Sequence, residues 1–256
     1  MLYFKKIDQG HKEWVVCLHA VCTGHFIFQD QVDALLQDFN VLLIDLPGHF
    51  QSSHIPADPT RPYEHAADEV IGVLDHLEIR QAHFVGISLG TVVIHQLMKN
   101  HAHRFRRVVL GGAVTRFTKR AKRVKRMAFS FLPVAPYRFM FRRLMVYMMP
   151  NENHAPSNHI IEKYGSSMGR VNFLSWMKAI NRMEHVFIAY PLGEPTVPRL
   201  FLSGDEDHTI VPALKEDLER ENIKLEYIRG CGHMCNMERP KEFNQKMMEF
   251  LRNEAS

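Results

Sequence analysis

Seven short apolar runs punctuate the chain, near residues 2–7, 13–19, 40–45, 82–87, 106–112, 198–203 and 224–228, and they read as strands. Between them, apolar residues recur at helical spacing over 26–39, 62–77, 89–101, 212–221 and 240–253. Strand alternating with helix, with strands that are nearly continuous in apolar residues, predicts an α/β fold: a mostly parallel twisted sheet with helices on both faces. Ligands of such sheets bind outside the carboxyl ends of the strands.

The fourth run leads straight into Gly86-Ile87-Ser88-Leu89-Gly90, and the helix over 89–101 begins at once. A G-x-S-x-G run in that setting is a strained turn that lifts the Ser88 hydroxyl out of the sheet, and the next amide, that of Leu89, can face a developing oxyanion. Without the flanking strand and helix it would be only a serine in a glycine-rich turn. A serine hydroxyl is a poor nucleophile near neutral pH, so Ser88 needs a histidine to take its proton and an acid to orient that histidine. The strand at 198–203 runs into Gly204-Asp205-Glu206-Asp207-His208, and the strand at 224–228 into Gly230-Cys231-Gly232-His233-Met234. His233 is the candidate base, and Asp205, Glu206 and Asp207 are candidate acids. An acid at the end of the 106–112 strand is closed by composition, because no Asp or Glu occurs between Glu78 and Glu152.

Serine, acid, histidine is the chain order of the α/β-hydrolases, and with three further motifs the chain resembles that superfamily, in its branch of capped serine esterases, lipase-like enzymes and C–C bond hydrolases. Val15-Val16-Cys17-Leu18-His19-Ala20 is similar to the family's strand ending in His-Gly, and Leu42-Leu43-Ile44-Asp45-Leu46-Pro47-Gly48-His49 to its Asp-x-Pro-Gly-His segment. Gly232-His233-Met234-Cys235-Asn236-Met237-Glu238-Arg239-Pro240 is similar to its histidine loop, followed by a closing helix. The resemblance covers nearly the whole chain. It implies a core domain over 1–114 and 197–256 with a helical cap, 115–196, inserted in it. It also selects Asp207 as the acid, three positions after Gly204, with Asp205 as the fallback, and it implies an oxyanion hole from the backbone N–H groups of Val21 and Leu89. Two departures matter. Ala20 and Phe50 stand where the family has glycine, so the loops beside the pocket are expected to do without glycine's positive φ. The start is short, so the family's first strands are expected to be trimmed or paired in a brief hairpin.

The 256 residues suffice for one α/β domain with an insertion, and they contain no repeat or low-complexity tract. The first residues lack the apolar run of a signal peptide, and the longest uncharged stretch, 81–98, is broken by His, Ser, Gly and Gln. Four cysteines in no metal-like spacing are expected to be reduced thiols of a cytoplasmic protein. Cys22, Cys231 and Cys235 read as buried small apolar residues.

Charge sharpens the reading of the cap. Residues 79–151 hold fifteen of the 32 Lys and Arg, while the other 17 share the rest of the chain with all 28 Asp and Glu. The net charge of +4 therefore hides a strong asymmetry. Over 116–126, Arg116, Lys119, Arg120, Lys122, Arg123, Lys125 and Arg126 surround Phe117, Ala121, Val124 and Ala128 at helical spacing, the pattern of a basic amphipathic helix. Phe129, Phe131, Leu132, Phe139, Met140, Phe141, Leu144, Met145, Tyr147, Met148 and Met149 follow. One reading is a cap whose helices pack on each other and show charge to water. The other is a lid that makes weak contact with an anionic membrane surface through Arg116 to Arg126 and lines an acyl pocket with soft methionines.

Sixteen histidines include no His-Glu-x-x-His or comparable ligand cluster, and His101 with His103 reads as a ragged helix end. His19 and His49 are expected to brace the pocket loops by hydrogen bonds. No metal, organic cofactor or nucleic acid partner is implied. The resemblance and the residues together lead to a serine hydrolase that cleaves a short or medium acyl ester through Ser88, His233 and Asp207. The alternatives are C–C bond hydrolysis of an acidic ring-cleavage product and a non-catalytic ligand sensor, because fold does not fix function.

Overall fold

A computed structural model describes residues 1–131, 136–165 and 168–253. Its seven strands are β1 (Phe4–Ile7), β2 (Trp14–Leu18), β3 (Asn40–Ile44), β4 (Ala82–Ile87), β5 (Phe105–Gly111), β6 (Arg199–Gly204) and β7 (Leu225–Ile228), in the spatial order β1-β3-β2-β4-β5-β6-β7. β2 to β7 run parallel, with Val16 opposite both Leu42 and Phe84, and Leu110 opposite Phe201. Every residue of β3 and of β4 is buried, as strands covered on both faces require. The predicted fold class is the observed one.

Of the two alternatives expected for the short start, trimmed strands or a brief hairpin, β1 excludes the hairpin. It skips β2 and lies antiparallel to β3, with Phe4 opposite Ile44 and Ile7 opposite Val41. The segment between β1 and β2 is anchored instead by the buried Asn40, whose side-chain oxygen accepts the Gln9 and His11 N–H groups at 2.8 and 3.2 Å. β1 and β7 are thus the sheet's two edges, and both carry charge: Lys5 and Lys6 on one, Glu226 bound by Lys224 and Lys246 on the other.

Helices α1 (Gln29–Leu35), α2 (Pro62–His76), α3 (Leu89–His101), α9 (Val211–Arg220), α10 (Cys235–Glu238) and α11 (Pro240–Arg252) flank the sheet. Three of them begin with proline in the first turn, where no N–H is needed and φ is already helical. The helix expected over 26–39 is shorter, because a tight 3-10 turn, His25–Phe28, follows the extended Gly24, and the chain turns again after Leu35. α3 is buried from Leu89 to Met98 on every side.

Between β5 and β6 the described residues form five α-helices of the cap, α4 (Lys119–Phe131), α5 (Tyr137–Met148), α6 (Ala155–Gly165), α7 (Arg170–Ile180) and α8 (Glu184–Ala189). α4 starts at Lys119 because the Thr118 hydroxyl accepts the Ala121 N–H at 3.2 Å, an N-cap bond. Phe117 therefore precedes the helix. Lys125, Ala128, Phe129, Phe131, Leu144 and Met145 have side chains outside the described ones, and Leu132 lies outside the described residues. The cap is bonded to the core at several points. The fully buried Trp176 donates from its indole to the Pro47 carbonyl at 2.8 Å, and Asn172 donates to the Ser53 carbonyl at 2.9 Å. On α3, His95 stacks on Phe187 and donates to the Tyr190 carbonyl at 2.6 Å, and burial pushes its pKa down to about 4. Among the described residues no helix is long and apolar enough to cross a membrane.

Candidate active site

Ser88 occupies the turn between β4 and α3 at φ 52 and ψ −110, a strained conformation for a residue with a side chain. Close packing makes the turn. A Cβ on Gly90 would lie 2.0 Å from the Leu18 carbonyl oxygen, and one on Gly86 2.6 Å from Ile94. Only glycine lets the start of α3 sit this tightly on β2 and β4, so both flanking glycines of the motif have a steric reason. The Ser88 N–H is tied to the Gly111 carbonyl at 3.0 Å, and its own carbonyl accepts the Thr91 hydroxyl at 2.6 Å.

His233 arrives from the loop after β7, and its Nε2 lies 2.9 Å from Ser88 Oγ. Its Nδ1 lies 2.7 Å from Asp207 Oδ2. Asp207, 1% exposed, is held in turn by the Thr209 and Ile210 N–H groups, which donate to its other oxygen at 3.3 and 3.1 Å. The three candidate acids separate cleanly. Asp205 turns away to accept the Gly230 N–H at 2.8 Å, and Glu206 accepts from Asn151 at 2.9 Å. Burial alone would lower the His233 pKa, but the charge and hydrogen bond of Asp207, helped by Glu238, outweigh it and hold the imidazole above its ordinary value.

Val21 and Leu89, the residues expected at the oxyanion position, both line the cavity beside Ser88. Leu89 is the first residue of α3, and a first-turn N–H has no partner within its own helix. The loops next to it are braced as expected. Leu46 N–H donates to His19 Nε2 at 2.9 Å, so His19 carries its proton on Nδ1 and donates it to the Ala20 carbonyl at 2.8 Å. His49 donates from Nδ1 to the Pro47 carbonyl at 3.0 Å. Burial holds both rings below the ordinary histidine pKa, so they are neutral braces.

One expectation about these loops is overturned. Phe50 takes φ 37 although it is not glycine, and Cys22 takes φ 60. Packing compels the Phe50 backbone: its ring meets His25, Phe26 and Tyr164 at 5.4, 5.3 and 6.0 Å, and the next amide, Gln51 N–H, donates to the buried Asp45 at 3.2 Å. Aromatic contacts here do what positive-φ freedom does elsewhere. All four cysteines are buried, and burial pushes their thiols up, that of Cys235 to about 12, so they are inert apolar packing.

The structure adds residues that sequence reasoning passed over. Glu238, nearly fully buried, accepts the Gly232 and Met234 N–H groups at 2.5 and 3.3 Å and so clamps the loop that carries His233. Burial raises its carboxyl above the usual range. His154, from the cap and fully buried, reaches Glu206 at 3.2 Å and Glu238 at 3.4 Å, which joins the cap to the loops bearing both Asp207 and His233. The only available signal was a carboxylate six residues after a glycine turn. His154 gave none, since its partners lie 52 and 84 positions away.

A cavity of about 340 Å³ stands over Ser88 and His233, within the range of small-molecule sites. Leu89, Val92, Phe173 and Met177 line it beside the reactive groups, and Met140, Tyr147, Met148 and Met149 line it from the cap. Among the described residues Arg143 is the single Lys or Arg on its wall.

Comparisons with known proteins agree with this architecture. 3-Oxoadipate enol-lactonase 1 of Acinetobacter baylyi is 23% identical over 93% of this chain and 88% of its own length. A 2-hydroxy-6-oxononadienedioate/2-hydroxy-6-oxononatrienedioate hydrolase of Burkholderia vietnamiensis is 26% identical over 94% of this chain and 87% of its own. The solved structure of a thermophilic esterase from Thermogutta terrifontis superposes with a TM-score of 0.82 at 22% identity, covering 98% of this chain and 93% of the other. The sequence profile of the Alpha/beta hydrolase family matches residues 15–246, most of the core and the whole cap, and the chain belongs to that family.

Proposed function

We propose that the chain is a serine hydrolase that cleaves a carboxylic ester of short or medium acyl chain length, with Ser88 as nucleophile, His233 as general base and acid, and Asp207 as the residue that orients it. One observation carries this reading: the continuous chain of contacts from Ser88 Oγ through His233 to Asp207, at 2.9 and 2.7 Å, on the floor of an apolar cavity. His233 Nε2 takes the Ser88 proton as the hydroxyl oxygen attacks the carbonyl carbon, and Asp207 keeps the other ring proton on Nδ1 and stabilises the imidazolium. The Val21 and Leu89 N–H groups receive the oxyanion. His233 then gives its proton to the leaving alcohol, and water attacks the acyl-enzyme with His233 again as base. Residues 115–196 act as the lid domain over a core of 1–114 and 197–256, and the cap methionines form the adaptable wall of the acyl site.

Arg143 favours a second reading. A single guanidinium on an otherwise apolar wall would attract the carboxylate of an acidic C–C substrate, and the Burkholderia relative is named for hydrolysis of a dienedioate. p-Nitrophenyl esters of graded chain length separate the two. Ester turnover that rises with chain length and then falls supports esterase action, whereas ester rates near background with cleavage of a vinylogous 1,5-diketo acid supports the second. Ser88→Ala should fold as the parent does and lose both turnover and labelling by a fluorophosphonate probe. Labelling that persists on another residue overturns the assignment of Ser88.

A further inference from the structure

The strong positive charge of the cap is not used by the reaction. Four of its cations, Lys119, Arg120, Arg123 and Arg126, are exposed on α4 with no carboxylate partner among the described residues. The nearby acids are engaged elsewhere: Glu216 and Asp217 hold Arg116, Glu184 holds Lys122, and Glu162 faces Arg142. Within the basic run from Arg116 to Arg126, Arg116 has a separate part, since it fastens the root of the cap to α9.

Apolar side chains are exposed on α4 as well, and on the next helix, α5. Val124, Met127, Phe139 and Val146 are four of the eight large hydrophobic residues that are exposed among the described ones, at 36, 67, 53 and 50%. On α5, Phe139, Arg142, Arg143 and Val146 follow the i, i+3, i+4, i+7 spacing of one helix side. Val124 of α4 and Arg143 of α5 are exposed and also line the cavity over Ser88, so both helices contribute exposed residues to its wall.

We infer that the outer face of α4 and α5 docks on an anionic lipid bilayer, and that the cavity takes its acyl substrate through that face. The docking stands by itself; the substrate half rests on the ester hydrolase reading above. Unpaired cations beside protruding aliphatic and aromatic side chains match the interface of a bilayer, where headgroup charge and a shallow apolar layer lie within one side chain's length of each other. A polyanion without an apolar layer, such as nucleic acid, would leave Met127 and Val146 without a role.

The test is cosedimentation of the full chain with phosphatidylcholine vesicles, with and without phosphatidylserine. Binding should require phosphatidylserine and weaken with salt, since exposed charges are screened over about 8 Å at physiological ionic strength. The double variant Arg123→Glu with Arg126→Glu should bind on the order of 100-fold more weakly. Met127→Ser with Val146→Ser should also weaken binding, with less dependence on salt. Both should hydrolyse a soluble p-nitrophenyl ester at the parent rate, which shows that they are folded. Equal affinity for the two vesicle types overturns the docking, and so does undiminished binding by the Arg123, Arg126 variant. Insensitivity of binding to Met127 and Val146, with displacement by single-stranded DNA, overturns the lipid assignment in favour of a general polyanion site. A long-chain ester presented in phosphatidylserine vesicles should turn over faster with the parent than with the charge-reversed variant; equal rates overturn loading through this face. Ser88→Ala should bind vesicles as the parent does, so a failure of the hydrolase reading shows in turnover and leaves the docking result intact.

Discussion

Asp207 and Asp205 stand two positions apart, and substitution tells them apart. Asp207→Asn keeps the shape but presents an amide to His233 Nδ1, so the ring can turn to the wrong tautomer, and turnover should fall about 10⁴-fold. Asp205→Asn meets only the Gly230 N–H and should change turnover little. The pH profile follows from the same bond. In the proposed reaction turnover needs His233 neutral, and Asp207 raises its pKa, so the acid limb of kcat/KM should lie above pH 6.5, with activity lost as pH falls through it. In Asp207→Asn the burial of His233 is no longer opposed by that charge, and the limb should move to lower pH. A limb at the same pH in both proteins would show that another group controls it.

The cap helix α7 shows what can and cannot be read along a chain. Trp176→Phe removes the indole N–H and leaves the buried Pro47 carbonyl unpaired, which should cost about 1–3 kcal/mol. Each kcal/mol should lower the melting temperature by about 2–4 °C in a chain of this size, read by circular dichroism. The strands were legible because β3 and β4 are nearly continuous in apolar residues, and the Ser88 turn because its glycines have a steric duty that leaves a local pattern. The partner of β1 was not, since four residues with two adjacent lysines between Phe4 and Ile7 fit any edge. Nor was the stop of α1 at Leu35, where the apolar spacing runs on while the backbone turns. His154, Glu206 and Glu238 meet only through tertiary packing, and Phe50 holds its φ by contacts from two distant segments. Local sequence carries no trace of such meetings.

At the scale of the whole molecule, buried neutral histidines set a limit on stability in acid. His95 has a pKa of about 4 in the folded protein against 6.5 for an exposed ring, so below pH 6.5 the unfolded chain binds a proton that the folded one refuses. Stability should therefore drop as pH falls from 6.5 towards 4, with His95 alone contributing on the order of 3 kcal/mol. His19, His49 and His83, also lowered by burial, act in the same direction. His233 acts oppositely, since its raised pKa favours the folded state below pH 6.5 and that contribution is lost as pH rises through the folded value. Urea midpoints measured across this range should fall towards acid, and His95→Gln should flatten the curve. An unchanged slope in that variant would remove His95 from the explanation.

An open sheet ends in two rows of unused N–H and C=O groups, and any extended chain nearby can add to them. Here the outer strands are the four-residue β1 and β7, with Lys5 and Lys6 at one margin and the Lys224, Glu226 and Lys246 cluster at the other. A second copy approaching edge to edge would have to bury these charges, so the fold protects itself from growth into fibrils by the composition of two short strands. Lys5→Val with Lys6→Val would supply a run, Leu-Tyr-Phe-Val-Val-Ile over 2–7, that is apolar, uncharged and free of proline, the makings of a cross-β segment. That variant should fold and hydrolyse at first, then gain light scattering and thioflavin fluorescence on standing at high concentration, while the parent stays clear.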